Sequence, residues 1–324
     1  MAHAICIERT GGPEVLQWRE VAVADPGPGQ VRIVQRAVGV NYIDIYHRAG
    51  VYPLNPPSGI GMEAAGEVVA VGPGVDTCKV GDRVAYASAP LGAYATERLM
   101  PADRLVGLPS DLGDEQAAAV LLQGLTAHYL LRRTYRVQPG ETILVHAAAG
   151  GVGLILCQWA RALGATVIGT VSTDAKAELA RAHGCAHTII YGRESFPQRV
   201  RELTDGEGVP VVYDSVGRDT FEGSLSCLRP LGMMVSFGNA SGVVPPIDAG
   251  KLSRMGSLFF TRPGLAHYVA RREDLLAGAA ALFDVVRKGK VRVEIRQRYP
   301  LRDAACAHRD LEARATMGSS VLLP

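Results

Sequence analysis

A glycine-rich turn between a predicted strand and a predicted helix most constrains what this chain can fold into. Residues 143–160 read ILVHAAAGGVGLILCQWA, so an apolar strand runs into three glycines and a helix follows at once. Glycines let a backbone approach a diphosphate, whose charge is favoured by the unpaired N–H groups at a helix N-terminus. The segment predicts a dinucleotide site at Gly150, Gly151, Val152 and Gly153, with a plain strand-to-helix turn as the alternative.

The surrounding pattern predicts two domains in the 324 residues. From residue 141 onward, apolar strand-like runs alternate with helical stretches, which is typical of βαβ units wound into a mainly parallel sheet. The first third instead has short apolar runs cut by Gly and Pro, which indicates a β-rich, barrel-like domain. A helical stretch that begins near Asp114 bridges the two, and the chain after Pro263 returns to complete the first domain.

Composition points to small, roughly neutral partners. The chain has 34 Lys+Arg against 32 Asp+Glu and a net charge of +2, so it offers neither a nucleic-acid footprint nor a membrane-binding surface. No apolar run approaches the roughly 20 residues that cross a bilayer, and we expect a cytoplasmic protein. The six cysteines and eight histidines are scattered, which predicts reduced thiols and no metal site.

The end of the second predicted strand of this alternating region indicates which coenzyme is bound. An NAD-selective site usually has Asp or Glu there to accept from the ribose 2′-hydroxyl, whereas this strand ends in GTVSTDAK. Ser172 and Thr173 offer hydroxyls and Lys176 a positive charge to a 2′-phosphate, which favours NADPH. The alternative makes Ser172 or Thr173 a helix N-cap and Lys176 a solvated residue. Asp174 argues against a phosphate, although its position also suits a helix N-terminal acid.

Six segments together resemble a known family. They are VNYIDIYHRAGVYP from Val40, GIGMEAAGEVVAVG from Gly59, GLTAHYLL from Gly124, HAAAGGVG from His146, YDSVGRDT from Tyr213 and VSFGNASG from Val235. The whole chain resembles the quinone oxidoreductases, the zeta-crystallin-like branch of the medium-chain dehydrogenase/reductases. The resemblance implies a GroES-like catalytic domain at 1–125 plus 265–324 and a Rossmann NADPH-binding domain at 126–264. It further implies a cleft between them and a homodimer joined through the edges of the nucleotide-domain sheets.

The resemblance also bears on zinc and on the reaction. Zinc-containing relatives have Cys in the segment matching VNYID and His in the segment matching GMEAAG, where this chain has Asn41 and Met62. It also lacks their close-set four-cysteine lobe, so we expect no zinc. Hydride transfer to an electron-poor quinone needs little polarisation, whereas alcohol oxidation needs a Lewis acid. We therefore expect NADPH-dependent quinone reduction, by hydride or single-electron transfer. The alternative is reduction of an activated C=C bond in an enone or enoyl thioester.

The resemblance assigns residues to the reacting end of the coenzyme: Asn41, Tyr42, Asp44, Tyr46, Thr126 and Tyr129. Tyr46 and Tyr52 are candidates to position a quinone oxygen or to stack on its ring. The alternative treats Asn41 and Asp44 as turn formers and the tyrosines as packing residues. Asp44 is expected to organise its loop with Arg48 as a partner.

Further candidates follow from strand ends, where ligands bind in open α/β sheets. Tyr191 is predicted near the adenosine phosphate, and Val216, Phe237 and Asn239 follow later strands. Arg314 is a weaker candidate from the tail, with a surface or interdomain ion pair as the alternative. No residue stands out as an obligatory general acid. His47, His128 and His146 are candidate donors, although an isolated His is more often structural.

Overall fold

The computed structural model describes residues 1–324. The strands are β1 Ala2–Ile7, β2 Gln17–Val21, β3 Gln30–Val40, β4 Ser58–Gly59, β5 Glu63–Val71, β6 Arg83–Ala87, β7 Glu97–Pro101, β8 Val106–Gly107, β9 Thr142–Val145, β10 Thr166–Val171, β11 His187–Ile190, β12 Val209–Asp214, β13 Leu228–Ser236, β14 Phe259–Thr261, β15 Ile295–Pro300 and β16 Ser319–Leu323. The helices are α1 Tyr42–Arg48, α2 Asp114–Tyr129, α3 Gly151–Ala162, α4 Asp174–Ala182, α5 Phe196–Leu203, α6 Phe221–Cys227, α7 Ala249–Arg254, α8 Leu265–Tyr268, α9 Arg272–Arg287 and α10 Ala304–Glu312.

The chain divides into two units. The first comprises Met1–Gln123, Val269–Phe283 and Val293–Pro324, and the second comprises Gly124–Tyr268 and Asp284–Arg292. The sequence predicts 126–264 for this second unit, and the structure adds residues 124–125, 265–268 and 284–292 to it. Two hydrogen bonds between the Gln158 side chain on α3 and the Arg292 backbone, at 3.1 and 2.9 Å, hold the last of these segments.

The first unit is β-rich. A seven-stranded sheet has the order β15-β16-β3-β5-β6-β8, with β7 also paired to β3, and a smaller sheet has the order β2-β1-β4. The first half of β3 alternates buried and partly buried residues, as expected for a strand with one face on a core. Because β16 pairs with β3, the C-terminal tail completes this unit, as the sequence predicts.

The second unit is a parallel sheet with helices between its strands. Its six strands have the order β11-β10-β9-β12-β13-β14, and every neighbouring pair is parallel. Chain order reverses between β9 and β12, and a crevice for ligands is expected at the carboxyl ends of the strands at such a point. The predicted alternation of strands and helices is thereby confirmed. No helix of the protein has both the length and the apolar character that crossing a membrane requires.

Candidate functional site

The glycine turn of the second unit joins β9 to α3. Gly150 is the N-cap of α3 and makes no side-chain cap bond, so the first-turn N–H groups are available to an anion. Ala147 has φ +51°, a left-handed conformation that turns the chain sharply after the strand. A Cβ at Gly153 would lie 2.3 Å from the Ala147 carbonyl oxygen, so only glycine permits this close packing. These features fit a dinucleotide diphosphate at the start of α3.

The residues after β10 form an exposed polar edge. Thr173 is the N-cap of α4, and its Oγ1 accepts from the Lys176 N–H at 3.3 Å, so the capping role is real. Capping uses the hydroxyl as an acceptor, so its proton is still available to a phosphate oxygen. Ser172 is exposed beside it. These groups are suited to an anion because they combine hydroxyl donors with a lysine.

Asp174 does not oppose an anion at this edge, because Arg193 binds its carboxylate. The two guanidinium nitrogens of Arg193 donate to the two Asp174 oxygens, each at 2.6 Å. The hydrogen bonds from Arg193 lower the pKa of Asp174, whose negative charge is balanced by the guanidinium. Arg193 is not among the residues predicted for the site, because it lies two residues after Tyr191 with no local pattern that indicates this pairing.

A buried hydrogen-bonded network lies under this edge. Ser224 Oγ donates to Asp214 Oδ2 at 3.0 Å and therefore accepts from His146 Nε2 at 2.9 Å. His146 Nδ1 is then an acceptor with one lone pair: the Tyr191 hydroxyl donates to it at 2.6 Å, and the Thr170 hydroxyl, 2.8 Å from the same nitrogen, bonds to Tyr191. Burial lowers the pKa of His146. His146 is thus a neutral structural residue that holds Tyr191, and both of its nitrogens are engaged.

Asp214 fixes the loop after β12. Its Oδ1 accepts from the N–H groups of Val216 at 2.8 Å and Gly217 at 3.0 Å, and its Oδ2 accepts from the Thr220 hydroxyl at 2.7 Å. Two backbone donors and two hydroxyls therefore converge on one buried carboxylate. Val216 is placed at the carboxyl edge of the sheet, as its position after a strand predicts.

The remaining candidates of the second unit lie on other segments. Phe237 is half-buried after β13 and bonds through its N–H to the Asp214 carbonyl at 2.8 Å. The Asn239 amide is oriented to donate to a neighbouring carbonyl and to accept from Arg262 at 3.1 Å. Thr126 and Tyr129 are buried on α2. Tyr129 stacks on Tyr268 with ring centroids 4.3 Å apart, which accounts for its burial.

In the first unit, Asn41 ends β3 and starts α1. Its N–H donates to Asp44 Oδ2 at 2.9 Å, and the Tyr94 hydroxyl donates to the same oxygen at 2.9 Å. Asp44 is fully buried, and burial raises its pKa to about 7 although both donors oppose the shift. The turn-forming role considered as an alternative is therefore supported for Asp44, whose carboxylate holds the N–H at the start of α1. Asp44 Oδ1 has no hydrogen-bond partner.

Arg48 is not the partner of Asp44, so that expectation is wrong. It donates instead to Glu312 at 2.6 and 3.1 Å and to the Gly11 carbonyl at 3.1 Å. It also contacts Nδ1 of buried His308 at 3.2 Å. Arg48 lies at the far end of α1, where it anchors the helix to α10.

Three tyrosines form an aromatic cluster on and after α1. The ring centroids of Tyr42 and Tyr46 are 5.3 Å apart, and those of Tyr46 and Tyr52 are 5.1 Å apart. Tyr46 is buried, whereas Tyr42 and Tyr52 are partly exposed. His47 packs edge-on against Tyr52 at 5.8 Å. The cluster combines aromatic faces with hydroxyls, which suits a flat ring bearing oxygens.

Asn41 bonds through its side chain to Glu63, which lies in the segment GIGMEAAG and which no local pattern marks as a site residue. Asn41 Nδ2 donates to Glu63 Oε2 at 2.7 Å. Glu63 is fully buried, and burial raises its pKa to about 8. Arg314 is exposed with φ +57°, and its charge acts on Tyr42, whose pKa is raised chiefly by burial. Glu63 therefore belongs with the candidate residues of this unit.

Comparisons with known proteins identify the family. The family model described as an alcohol dehydrogenase GroES-like domain matches residues 27–110, and that described as a zinc-binding dehydrogenase matches residues 151–273. The chain is 56% identical to a quinone oxidoreductase of Pseudomonas aeruginosa, with 100% of both chains covered. It is 50% identical to quinone oxidoreductase 1 of Escherichia coli, again with 100% of both covered. The chain belongs to the quinone oxidoreductase family.

Solved structures of the family agree with the fold. The Escherichia coli quinone oxidoreductase complexed with NADPH matches with a TM-score of 0.98, covering 99% of this chain and 100% of that one. The expectations of a GroES-like domain, a Rossmann domain and membership in this family are confirmed. A 2-haloacrylate reductase of Burkholderia sp. is also 51% identical, over 100% of this chain and 99% of its own.

The donor set does not resemble a zinc site. Asn41 and Met62 stand at the two positions where the resemblance would place the Cys and His of a zinc-containing relative. The structure brings no three His, Cys, Asp or Glu side chains into an arrangement that could hold a metal ion.

Proposed function

We propose that this chain reduces quinones with NADPH as the hydride donor. The full-length match to a quinone oxidoreductase crystallised with NADPH carries the proposal. The residues of the second unit support it independently, because the uncapped start of α3 suits a diphosphate and the hydroxyl and lysine edge suits a 2′-phosphate. The chemistry that NADPH supplies when bound is a hydride from its nicotinamide ring.

The chain's own residues bind the coenzyme and orient it. We assign the diphosphate to the glycine turn and the 2′-phosphate to Ser172, Thr173 and Lys176. Tyr191 borders the adenosine phosphate, and the further coenzyme contacts proposed are Val216, Phe237, Asn239, Thr126, Tyr129, Tyr42 and Arg314. Their position after strands, or the family resemblance, supports each assignment.

The acceptor is assigned to residues of α1 and its flanks. Asn41 donates through its amide, and the hydroxyls of Tyr46 and Tyr52 orient quinone oxygens while their rings pack on the acceptor. Asp44 holds the start of α1 in place. A quinone accepts hydride without a Lewis acid, and a donor set of Asn41 and Met62 is unsuited to zinc, so we propose a zinc-free reaction. Reduced quinone takes its protons from water.

Reduction of an activated C=C bond is the second candidate. The 51% identical 2-haloacrylate reductase favours it, because an acrylate also receives a nucleophile at a carbon conjugated to a carbonyl. The same coenzyme and the same amide donor would serve both reactions. The two candidates therefore differ in the acceptor and not in the machinery.

A panel of acceptors with both coenzymes tests the proposal. We expect NADPH to be oxidised faster than NADH with soluble quinones, and enones, haloacrylates and aldehydes to turn over more slowly. The measurement is loss of absorbance of the reduced coenzyme under matched conditions. Turnover of enones without quinones would favour the second candidate, and equal use of NADH would reject the coenzyme assignment.

Lys176→Ala tests the 2′-phosphate assignment. We expect NADPH binding to weaken by about 1–3 kcal/mol, the range for hydrogen bonds to charged groups, with little change for NADH. Calorimetric titration of both coenzymes measures the difference. Lys288→Ala is the matched control, because this exposed lysine of the same unit, just after α9, pairs with Asp284 in the last turn of that helix. Equal behaviour of the two variants would remove Lys176 from the site.

A homodimer and a cytoplasmic location are further parts of the proposal. Strand β14 pairs only with β13, so its other edge is open, and Phe259 on it is 55% exposed. An open edge with an exposed aromatic side chain is suited to pairing with a second copy. The Cys157 and Cys185 sulfurs lie 3.5 Å apart as free thiols, which fits a reducing compartment.

A further inference from the structure

The Asn41 side chain is one link in a buried row of hydrogen bonds in the first unit. Ser319 Oγ donates to Gln123 Oε1 at 2.7 Å, and Gln123 Nε2 donates to Asn41 Oδ1 at 3.3 Å. Asn41 Nδ2 then donates to Glu63 Oε2 at 2.7 Å. All four side chains are buried. They come from β16, α2, the start of α1 and β5, so four separate segments meet at this row.

The row has a direction. In the folded protein the Asn41 amide donates to Glu63 Oε2, and Glu63 Oε1 accepts from the Leu122 N–H at 2.6 Å, so both Glu63 oxygens act as acceptors. The nitrogen of the Asn41 amide therefore faces Glu63, and its carbonyl faces Gln123. Because Gln123 must donate to that carbonyl, its own carbonyl faces Ser319, whose hydroxyl donates. Reversing any amide would set two donors or two acceptors against each other.

The backbone and the side chain of Asn41 are held by different partners. Asp44 accepts the backbone N–H at 2.9 Å and thereby fixes the start of α1. Gln123 and Glu63 hold only the side-chain amide. Changes at Gln123 or Ser319 are therefore expected to release the amide without disturbing the helix start.

We propose that Gln123 and Ser319 are positioning residues that orient the Asn41 amide towards the acceptor. Together with Glu63 they use the carbonyl and one N–H of the amide, which leaves its second N–H for a carbonyl oxygen. The proposal rests on the proposed function, in which Asn41 is the amide donor. Neither Gln123 nor Ser319 touches the reacting groups in this account, and each acts through Asn41.

Three variants and one control test this role. Ser319→Ala removes the terminal donor, Ser319→Thr keeps it, and Gln123→Leu removes the central link. Gln35→Leu is the control, because Gln35 is a buried glutamine of the same unit whose hydrogen-bond partners, the Ala93 and Ala95 carbonyls and the Tyr86 hydroxyl, are not part of the row. For each purified protein, kcat and KM are measured with NADPH and a quinone, and folding is checked by thermal unfolding.

We expect Gln123→Leu to lower kcat about tenfold or more, since small misplacements of a positioned group are costly, while KM for NADPH changes less than about twofold. Ser319→Ala should lower kcat about threefold, and Ser319→Thr should restore it. If Gln123→Leu lowers kcat no more than Gln35→Leu does, or if Ser319→Ala leaves kcat unchanged, the proposal is overturned. If Gln123→Leu does not fold, the comparison of Ser319→Ala with Ser319→Thr decides. A wild-type protein without quinone turnover would instead reject the proposed function.

Discussion

Replacing Asp214 with asparagine is expected to lower the free energy of unfolding of the second unit by about 2–4 kcal/mol, because hydrogen bonds to a charged acceptor are lost. The carboxylate accepts two backbone N–H groups on one oxygen and the hydroxyls of Thr220 and Ser224 on the other. Asparagine keeps one acceptor oxygen and puts an NH₂ group where the other was. Two donors must then turn away from a buried position.

The same substitution is expected to weaken the hydrogen bonds that hold Tyr191 in position. Ser224 donates to Asp214 and accepts from His146, and His146 in turn accepts from Tyr191. Without the carboxylate the direction of this network is no longer fixed, so NADPH affinity should fall together with stability.

Urea unfolding and coenzyme titration measure the two effects of Asp214→Asn. Asp248→Asn is the control, because Asp248 is an exposed N-cap of α7 that accepts from the Gly250 N–H, and asparagine caps helices equally well. An Asp214→Asn protein as stable as this control would refute the network's importance.

The elements of the second unit follow from local patterns in the sequence. The apolar runs around Ile143 and Thr166 became parallel strands, and the predicted helix from Gly151 became α3. Helix and strand periodicity is a property of neighbouring residues, so it is visible without knowing the fold. The glycine turn was identified for the same reason.

The side-chain partners could not be predicted in this way. Gln123 and Ser319 form a hydrogen bond although 196 positions separate them in the sequence, and Arg48 and Glu312 do so at a separation of 264. A nearby residue of opposite charge suggested Asp44 as the partner of Arg48, but the two lie at opposite ends of a short helix whose outer end faces α10. Partners of this kind are set by how the sheets bring distant segments together, which no local pattern records.

The buried carboxylates of the first unit are expected to make its stability fall as pH rises. Burial raises the pKa of Asp44 to about 7 and that of Glu63 to about 8. Above about pH 4.5 the unfolded chain has released these protons while the folded chain retains them, so raising the pH favours unfolding. Each such group removes about 1.4 kcal/mol per pH unit until its folded pKa is passed, and the loss then levels off.

Buried histidines have the opposite effect on the pH dependence of stability below neutral pH. Burial lowers the pKa of His308 to about 3 and also lowers that of His146, so unfolding takes up protons at acid pH and stability rises with pH there. Because these slopes partly cancel, the wild-type curve alone does not isolate the carboxylates. Subtracting the curve of a variant that lacks one carboxylate removes every shared contribution.

Glu63→Gln provides that subtraction. The stability of the wild type relative to this variant should fall by about 3 kcal/mol between about pH 5.5 and pH 8, because the glutamine does not titrate. Urea unfolding across this range measures it, with Glu202→Gln, at an exposed position of α5, as the control that leaves the wild-type slope unchanged. A difference that is flat with pH would mean that Glu63 is already ionised throughout. The row from Ser319 would then be fixed in one direction at every pH, and kcat would show no dependence on Glu63 titration.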